Sequence, residues 1–214
     1  MDEILKRIAS FIDNNSHQLI IGISGHGASG KTTFANQLID FLDGKEINYI
    51  NTDPYIIDSG LRKYSKLKYE YKSKQYSYKI TACHPTAHNV SYLERDINMI
   101  KNDMDFYTMQ THYCERELIS SSKNITIVEG MSVAFMNLDF FDLTVYLYTD
   151  SVTEFNRRKT RDISERGTNL NYLQQSHEHR RIQYDLFMHS YRQKFDVVIN
   201  NSNDKFLVEK DNKV

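Results

Sequence analysis

Short apolar runs alternate along the chain with longer stretches whose apolar residues recur every three or four positions. The runs Gln18–Ser24, Ile47–Asn51, Ile125–Glu129, Leu143–Tyr148 and Val197–Asn200 predict strands. Several are apolar almost without interruption, as in strands covered on both faces. Helical spacing near 31–42, 90–101, 151–165 and 170–194 predicts helices, and Ile4, Leu5, Ile8, Phe11 and Ile12 add an amphipathic helix at the start. Strands alternating with helices predict a parallel sheet with helices on both sides, an α/β fold of three layers. No repeat or Pro/Gly-rich linker divides the chain, which has only two prolines, so one domain over residues 1–214 is expected.

A chain of 214 residues can bury a core without disulfides or metals to staple it. Lys+Arg 27 against Asp+Glu 28 leaves a formal net charge of -1, which disfavours nucleic acid or an anionic membrane as the main partner. Residues 60–80 depart from this balance with seven Lys/Arg, five Tyr and one Glu. Basic residues interleaved with aromatics can bind single-stranded nucleic acid. Within a neutral chain they are read as a solvated basic excursion near a phosphorylated ligand. Cys83 and Cys114 form no C-x-x-C pattern and no disulfide framework, so a reducing, cytoplasmic location is expected. The opening MDEILKRIASFIDNN has early acids and does not resemble a secretory signal. No apolar run approaches the roughly 18 residues that a membrane span requires.

The chemistry starts after the first predicted strand. Gly25, His26, Gly27, Ala28, Ser29, Gly30, Lys31 and Thr32 spell G-x-x-x-x-G-K-T, followed by Thr33. Glycines let backbone N–H groups converge on phosphate oxygens at a helix N-terminus whose dipole favours anions. Lys31 adds a mobile charge for the β- and γ-phosphates of ATP, and the Thr32 hydroxyl can ligate Mg²⁺. The same glycines fit a dinucleotide fingerprint, Gly25-x-Gly27-x-x-Gly30 with Asp53 downstream. That site has no use for Lys-Thr directly after the last glycine, so the phosphate-loop reading is preferred.

Ligands of open α/β sheets bind beyond the carboxyl ends of the strands, where Asp53 and Glu129 fall. Phosphoryl transfer to an alcohol needs a base near the hydroxyl and oxygen ligands for Mg²⁺, roles that Asp53, Thr32 and Glu129 can fill. In the run NRRKTRDISERG, Arg158 and Arg161 are three apart and can share a helix face. Arginine's planar fork of donors suits charge building on a transferred phosphoryl group. His177 and His179 lie two apart on different sides of a helix and are read as ordinary exposed residues rather than a zinc pair.

Taken together, GISGHGASGKTT, NTDPY, HPTAHN, IVEGMSV and FNRRKTRDISERG resemble the uridine kinase branch of the phosphoribulokinase/uridine kinase family, from about residue 18 to residue 200. The resemblance implies a P-loop NTPase fold with a small β-hairpin insert, at approximately 104–118, and a helical lid, at approximately 156–190. It implies ATP and Mg²⁺ as cofactors and ATP-dependent phosphorylation of a small-molecule hydroxyl, the 5′-hydroxyl of a nucleoside first of all. Asp53 would be the catalytic base and touch Mg²⁺, Glu129 would complete the metal site, and Arg158 and Arg161 would grip phosphates with Arg166 close by. Tyr107 and His112 of the hairpin, with Tyr55 of NTDPY, would frame the acceptor pocket.

Three positions depart from the family pattern. Cys83 stands where the family usually has the Asp of Asp-His-Pro, which grips the ribose hydroxyls; Thr168 replaces an arginine, and Met109 a phenylalanine. The phosphate machinery is thus intact and the acceptor pocket altered. Another acceptor (pantothenate, a nicotinamide riboside or a sugar phosphate) is the first alternative, a nucleotide-binding protein without kinase activity the second. The expected partner is a small molecule rather than a membrane or nucleic acid, with a homo-oligomer left open.

Overall fold

A computed structural model describes residues 1–164, 169–203 and 205–214. In chain order the elements are α1 (Asp2–Asp13), β1 (Leu19–Ser24), α2 (Lys31–Phe41), β2 (Ile47–Asn51), α3 (Ser59–Arg62), β3 (Lys66–Tyr71), β4 (Lys74–Lys79) and α4 (Val90–Lys101). There follow β5 (Phe106–Tyr107), β6 (Leu118–Ile119), β7 (Ile125–Glu129), β8 (Leu143–Tyr148), α5 (Ser151–Ser164), α6 (Leu170–Phe187), β9 (Val197–Asn200) and β10 (Leu207–Asp211).

The main sheet runs β10-β9-β8-β1-β7-β2. All neighbours pair in parallel except β10, which lies antiparallel to β9 at the edge. Alternate residues of the strands face opposite layers. Leu19, Ile21 and Ile23 of β1 join Ile127, Val145 and Ile199 under α1 and α2, where Ile8, Phe34 and Leu38 are fully buried. Ile20, Val128, Tyr146 and Val198 face the other side with Leu93, Ile97 and Ile100 of α4. Both faces are therefore covered, which is why β1 and β7 are buried at every position. This is an α/β P-loop fold, and among the described residues no helix is long and apolar enough to cross a membrane.

Two small hairpins stand outside the sheet. Strands β5 and β6 pair through Phe106↔Ile119 and Tyr107↔Leu118, close to the expected insert. The second, β3 with β4, occupies the segment read as a solvated basic excursion. It is a six-pair antiparallel hairpin docked on α6, so the excursion is solvated on its lysine side and packed on its tyrosine side. Tyr71 Oη donates to Asp185 at 2.9 Å, Tyr78 stacks on His179 with centroids 3.9 Å apart, and Tyr69 meets Phe187 edge-on. The aromatics thus serve packing while the lysines between them face out.

Candidate active site

The phosphate loop leaves the buried strand β1 and enters α2 at Lys31. Gly25 is needed for close approach: its φ is +148, and a Cβ there would lie 2.0 Å from the Leu147 carbonyl oxygen. His26 is wholly buried and anchors the loop from below. Its Nε2 accepts from the Thr149 N–H at 3.0 Å, which leaves Nδ1–H to donate to Gly27 O at 2.9 Å. Burial lowers the His26 pKa to about 4, although Glu154 beside it pulls upward. His88, held by Ser132 Oγ and Ala82 O, is likewise lowered by burial to about 4.

A sign follows for stability. An unfolded histidine takes its proton near pH 6.5, so these two stabilise the fold above that value and lose the contribution as pH falls toward about 4. For His26 the shift corresponds to about 3 kcal/mol. His26→Gln keeps a donor and an acceptor without a titrating proton. Thermal midpoints followed from pH 7 to pH 4 are expected to fall less steeply in this variant, with His88 retaining part of the slope. An unchanged slope would rule His26 out as a contributor.

Glu129 ends β7 and gathers the loop's reactive side chains. Its Oε1 lies 3.4 Å from Lys31 Nζ, and its Oε2 accepts from Thr32 Oγ1 at 3.1 Å and Tyr49 Oη at 2.8 Å. The carboxylate is almost fully buried, so three partners are what make its charge tolerable there. Strand β2 brings Asp53 alongside: Asn51 is in register with Glu129, and the Thr52 N–H donates to Glu129 O at 2.8 Å. Gly130 has φ +146, and a Cβ on it would meet Thr52 Oγ1 at 1.9 Å, so glycine lets the two strand ends close up. Asp53 itself is exposed, its N–H donating to Asn51 Oδ1.

Lys31, Thr32, Asp53, Arg158 and Arg161 all line one cavity of about 560 Å³. Arg157 of the arginine run, Arg62 and Lys79 of the basic segment 60–80, and Arg180, which no motif marks, line it too. A buried carboxylate organises the arginine side: Glu154 accepts from Arg158 Nε at 2.8 Å, from Arg181 Nη1 at 3.4 Å, and faces His26 Nδ1 at 3.5 Å. Burial pushes the Glu154 carboxyl up, but His26 and Arg158 more than offset this and hold it below its ordinary value. One group thereby ties α5, α6 and the phosphate loop together. Arg161 is paired with Asp162 at 2.8 Å, and Arg157 reaches toward Ala28 O and Asn201 Oδ1.

The acceptor-side expectations fare unevenly. Cys83 lines the same cavity, buried, with burial pushing its thiol up to about 12. His112 lines a separate cavity of about 390 Å³ beside Asn89 and Tyr113. Tyr107 is exposed against Arg116 and lines neither cavity. Tyr55 is corrected: it is fully buried with its hydroxyl donating to Asp96, so no acceptor can reach it. His177 is corrected as well, being buried between Phe155 and Ser151 Oγ, which lies 3.1 Å from its Nε2. His179 is stacked on Tyr78 rather than free. Arg166 and Thr168 lie outside the described residues.

The donor set fits a nucleoside triphosphate with Mg²⁺. Ser29 Oγ is buried in the phosphate loop with no hydrogen-bond partner among the described residues. Among the described residues no cluster of three or more His, Cys, Asp or Glu is preassembled for a metal. Thr32 with one or two carboxylates is the incomplete oxygen set that Mg²⁺ uses when phosphates and waters fill the remainder.

Comparison with known proteins agrees with this geometry. The model of the phosphoribulokinase / uridine kinase family matches residues 20–207. A uridine kinase of Limosilactobacillus reuteri (strain DSM 20016) is 28% identical over 170 residues, covering 76% of this chain and 73% of that protein. Uridine-cytidine kinase B of Dictyostelium discoideum is 30% identical over 172 residues, covering 75% and 67%. Among solved structures, phosphoribulokinase from Rhodobacter spheroides superposes with a TM-score of 0.60 at 13% identity, covering 87% of this chain and 71% of that one. At that identity the last likeness speaks to fold alone.

Proposed function

The chain belongs to the phosphoribulokinase/uridine kinase family and is a phosphotransferase acting on a hydroxyl group, and we propose that it transfers the γ-phosphate of ATP to a nucleoside-like acceptor. The observation that carries this reading is the single cavity shared by Lys31, Thr32, Asp53, Arg158 and Arg161. Backbone N–H groups of the phosphate loop cradle the phosphates at the α2 N-terminus. Lys31, beside Glu129 at 3.4 Å, would meet the β- and γ-phosphates, and Glu129, Thr32 and Asp53 would hold Mg²⁺. Mg²⁺ bound there supplies charge neutralisation on the β- and γ-phosphates.

Asp53 takes the acceptor's proton as its oxygen attacks phosphorus. Arg158 and Arg161 meet the charge on the moving phosphoryl group. Helices α5 and α6 act as a lid that excludes water, the competing nucleophile. A screen of ADP release across nucleosides and other small alcohols tests the reading. Acceptor-dependent release is expected, and release indifferent to any alcohol would contradict it.

Cys83 gives the acceptor prediction. A carboxylate accepts hydrogen bonds from both hydroxyls of a ribose, whereas a buried thiol is uncharged and a weak acceptor. Uridine is therefore expected to be a poor substrate of the wild type. Cys83→Asp is expected to raise kcat/KM for uridine about tenfold, with little gain for the 2′-deoxy analogue. Vigorous wild-type use of uridine, unimproved by the substitution, would assign the ribose to another residue.

A further inference from the structure

Arg158 and Arg161 share one role in the reading above, but the fold holds them differently. Glu154 and Arg158 stand one helical turn apart on α5, and a helical side chain leans back over the preceding turn, which brings the arginine onto the carboxylate. Arg158 Nε donates to Glu154 Oε1 at 2.8 Å, and the two side chains are only 10% and 3% exposed. The guanidinium lies against the bare face of Gly27, where a Cβ would come 3.0 Å from its Cζ. With Nε taken, the N–H groups on Nη1 and Nη2 remain for an anion in the phosphate loop. Arg161 pairs instead with its immediate neighbour Asp162 at 2.8 Å, and its side chain is 33% exposed.

The Glu154 carboxylate is fixed in turn from two other elements. Arg181 Nη1 of α6 reaches its Oε2 at 3.4 Å while donating to Thr149 O at 2.9 Å, and Asp185 Oδ1 lies 3.3 Å from Arg181 Nε. His26 Nδ1 stands 3.5 Å from the same Oε2, on the loop residue before Gly27. A buried carboxylate this near a phosphate site works against binding an anion, because charges interact strongly where water is excluded. Orientation accounts for its place there. A donor already aimed at developing charge needs no reorganisation as the reaction proceeds.

We propose that Glu154 is a positioning residue for phosphoryl transfer: by taking Arg158 Nε it turns the rest of that guanidinium toward the phosphate loop before ATP arrives. The proposal rests on the kinase reading. Arg158 is then a fixed part of the site, whereas Arg161, one turn further along α5, adjusts to the ligand. Glu154 touches neither ATP nor acceptor and exchanges no proton. Its effect passes wholly through Arg158.

Kinetics with Mg-ATP and the best nucleoside of the ADP-release screen test this, beside nitrogen NMR of the arginine Nε–H groups. In the wild type the Arg158 Nε–H is expected to exchange slowly with water, and Arg158→Lys assigns the signal by removing it. Glu154→Asp keeps the buried charge, and with it the fold, but withdraws the carboxylate from Nε by one methylene. It is expected to lose the slow exchange and to lower kcat about ten- to a hundredfold, while the KM for ATP moves less than about threefold. Added to Arg158→Ala, the same change should cost little more, since the two residues act as one unit. Asp185→Asn removes Arg181's other carboxylate without touching Arg158 and should leave kcat near the wild-type value. Full kcat or persistent slow exchange in Glu154→Asp, an additive loss in the double variant, or an equal loss in Asp185→Asn overturns the proposal and leaves the kinase reading standing. Absence of acceptor-dependent turnover in the wild type removes the kinase reading, and the proposal with it.

Discussion

Lys31→Ala is expected to lower Mg-ATP turnover by about two to three powers of ten, the usual consequence of removing a donor from a developing phosphoryl charge. Lys31 opens α2, and its ammonium stands 3.4 Å from Glu129 Oε1. Its loss leaves two defects. The β- and γ-phosphates lose their mobile cation, so affinity for ATP should also drop in calorimetry. Glu129 loses its counter-charge but keeps the hydroxyls of Thr32 and Tyr49, so the fold should survive with a modest fall in thermal midpoint. A variant with unchanged ATP affinity and turnover would remove the phosphate-loop assignment.

Asp53→Asn separates binding from chemistry. The side chain is exposed in the cavity, and the local turn is held by its backbone N–H on Asn51 Oδ1, which the substitution does not touch. An amide retains the shape while removing the base and one metal ligand. Turnover should fall about a hundredfold or more, the range general-base catalysis contributes, while ATP still binds. Near-normal turnover would transfer the proton-accepting role elsewhere, with Glu129 the next carboxylate. That alternative is physically awkward, since Glu129 is already surrounded by Lys31, Thr32 and Tyr49.

The layered fold was readable because hydrophobic periodicity reports burial directly. Strands β2, β7, β8 and β9 begin and end where their apolar runs do. The β3–β4 hairpin was not read, although Leu67, Tyr69 and Tyr71 alternate with Lys66, Lys68 and Glu70 as a strand requires. Its turn obscured it: Lys72 and Ser73 adopt φ of 50° and 60° without the Asn-Gly or Asp-Gly that usually marks such a turn. Local motifs brought out Lys31, Thr32, Asp53 and Glu129, because each follows a strand or glycine run. Arg62 and Lys79 were legible only as members of the basic segment 60–80 and Arg180 not at all, since only the docking of the hairpin on α6 brings the three to one wall. Tyr55 was misassigned because a motif position does not say which way a side chain points, and this one turns inward to Asp96.

Kinase chemistry within one cavity is most directly tested by following the labelled γ-phosphate of ATP in the presence of Mg²⁺ and a mixture of nucleosides and small anionic alcohols. The expected result is label appearing in an acceptor ester, with ADP formed in equal amount, and both lost together in Lys31→Ala and Asp53→Asn. Label released only as inorganic phosphate, at a rate indifferent to acceptor and to both substitutions, would contradict it.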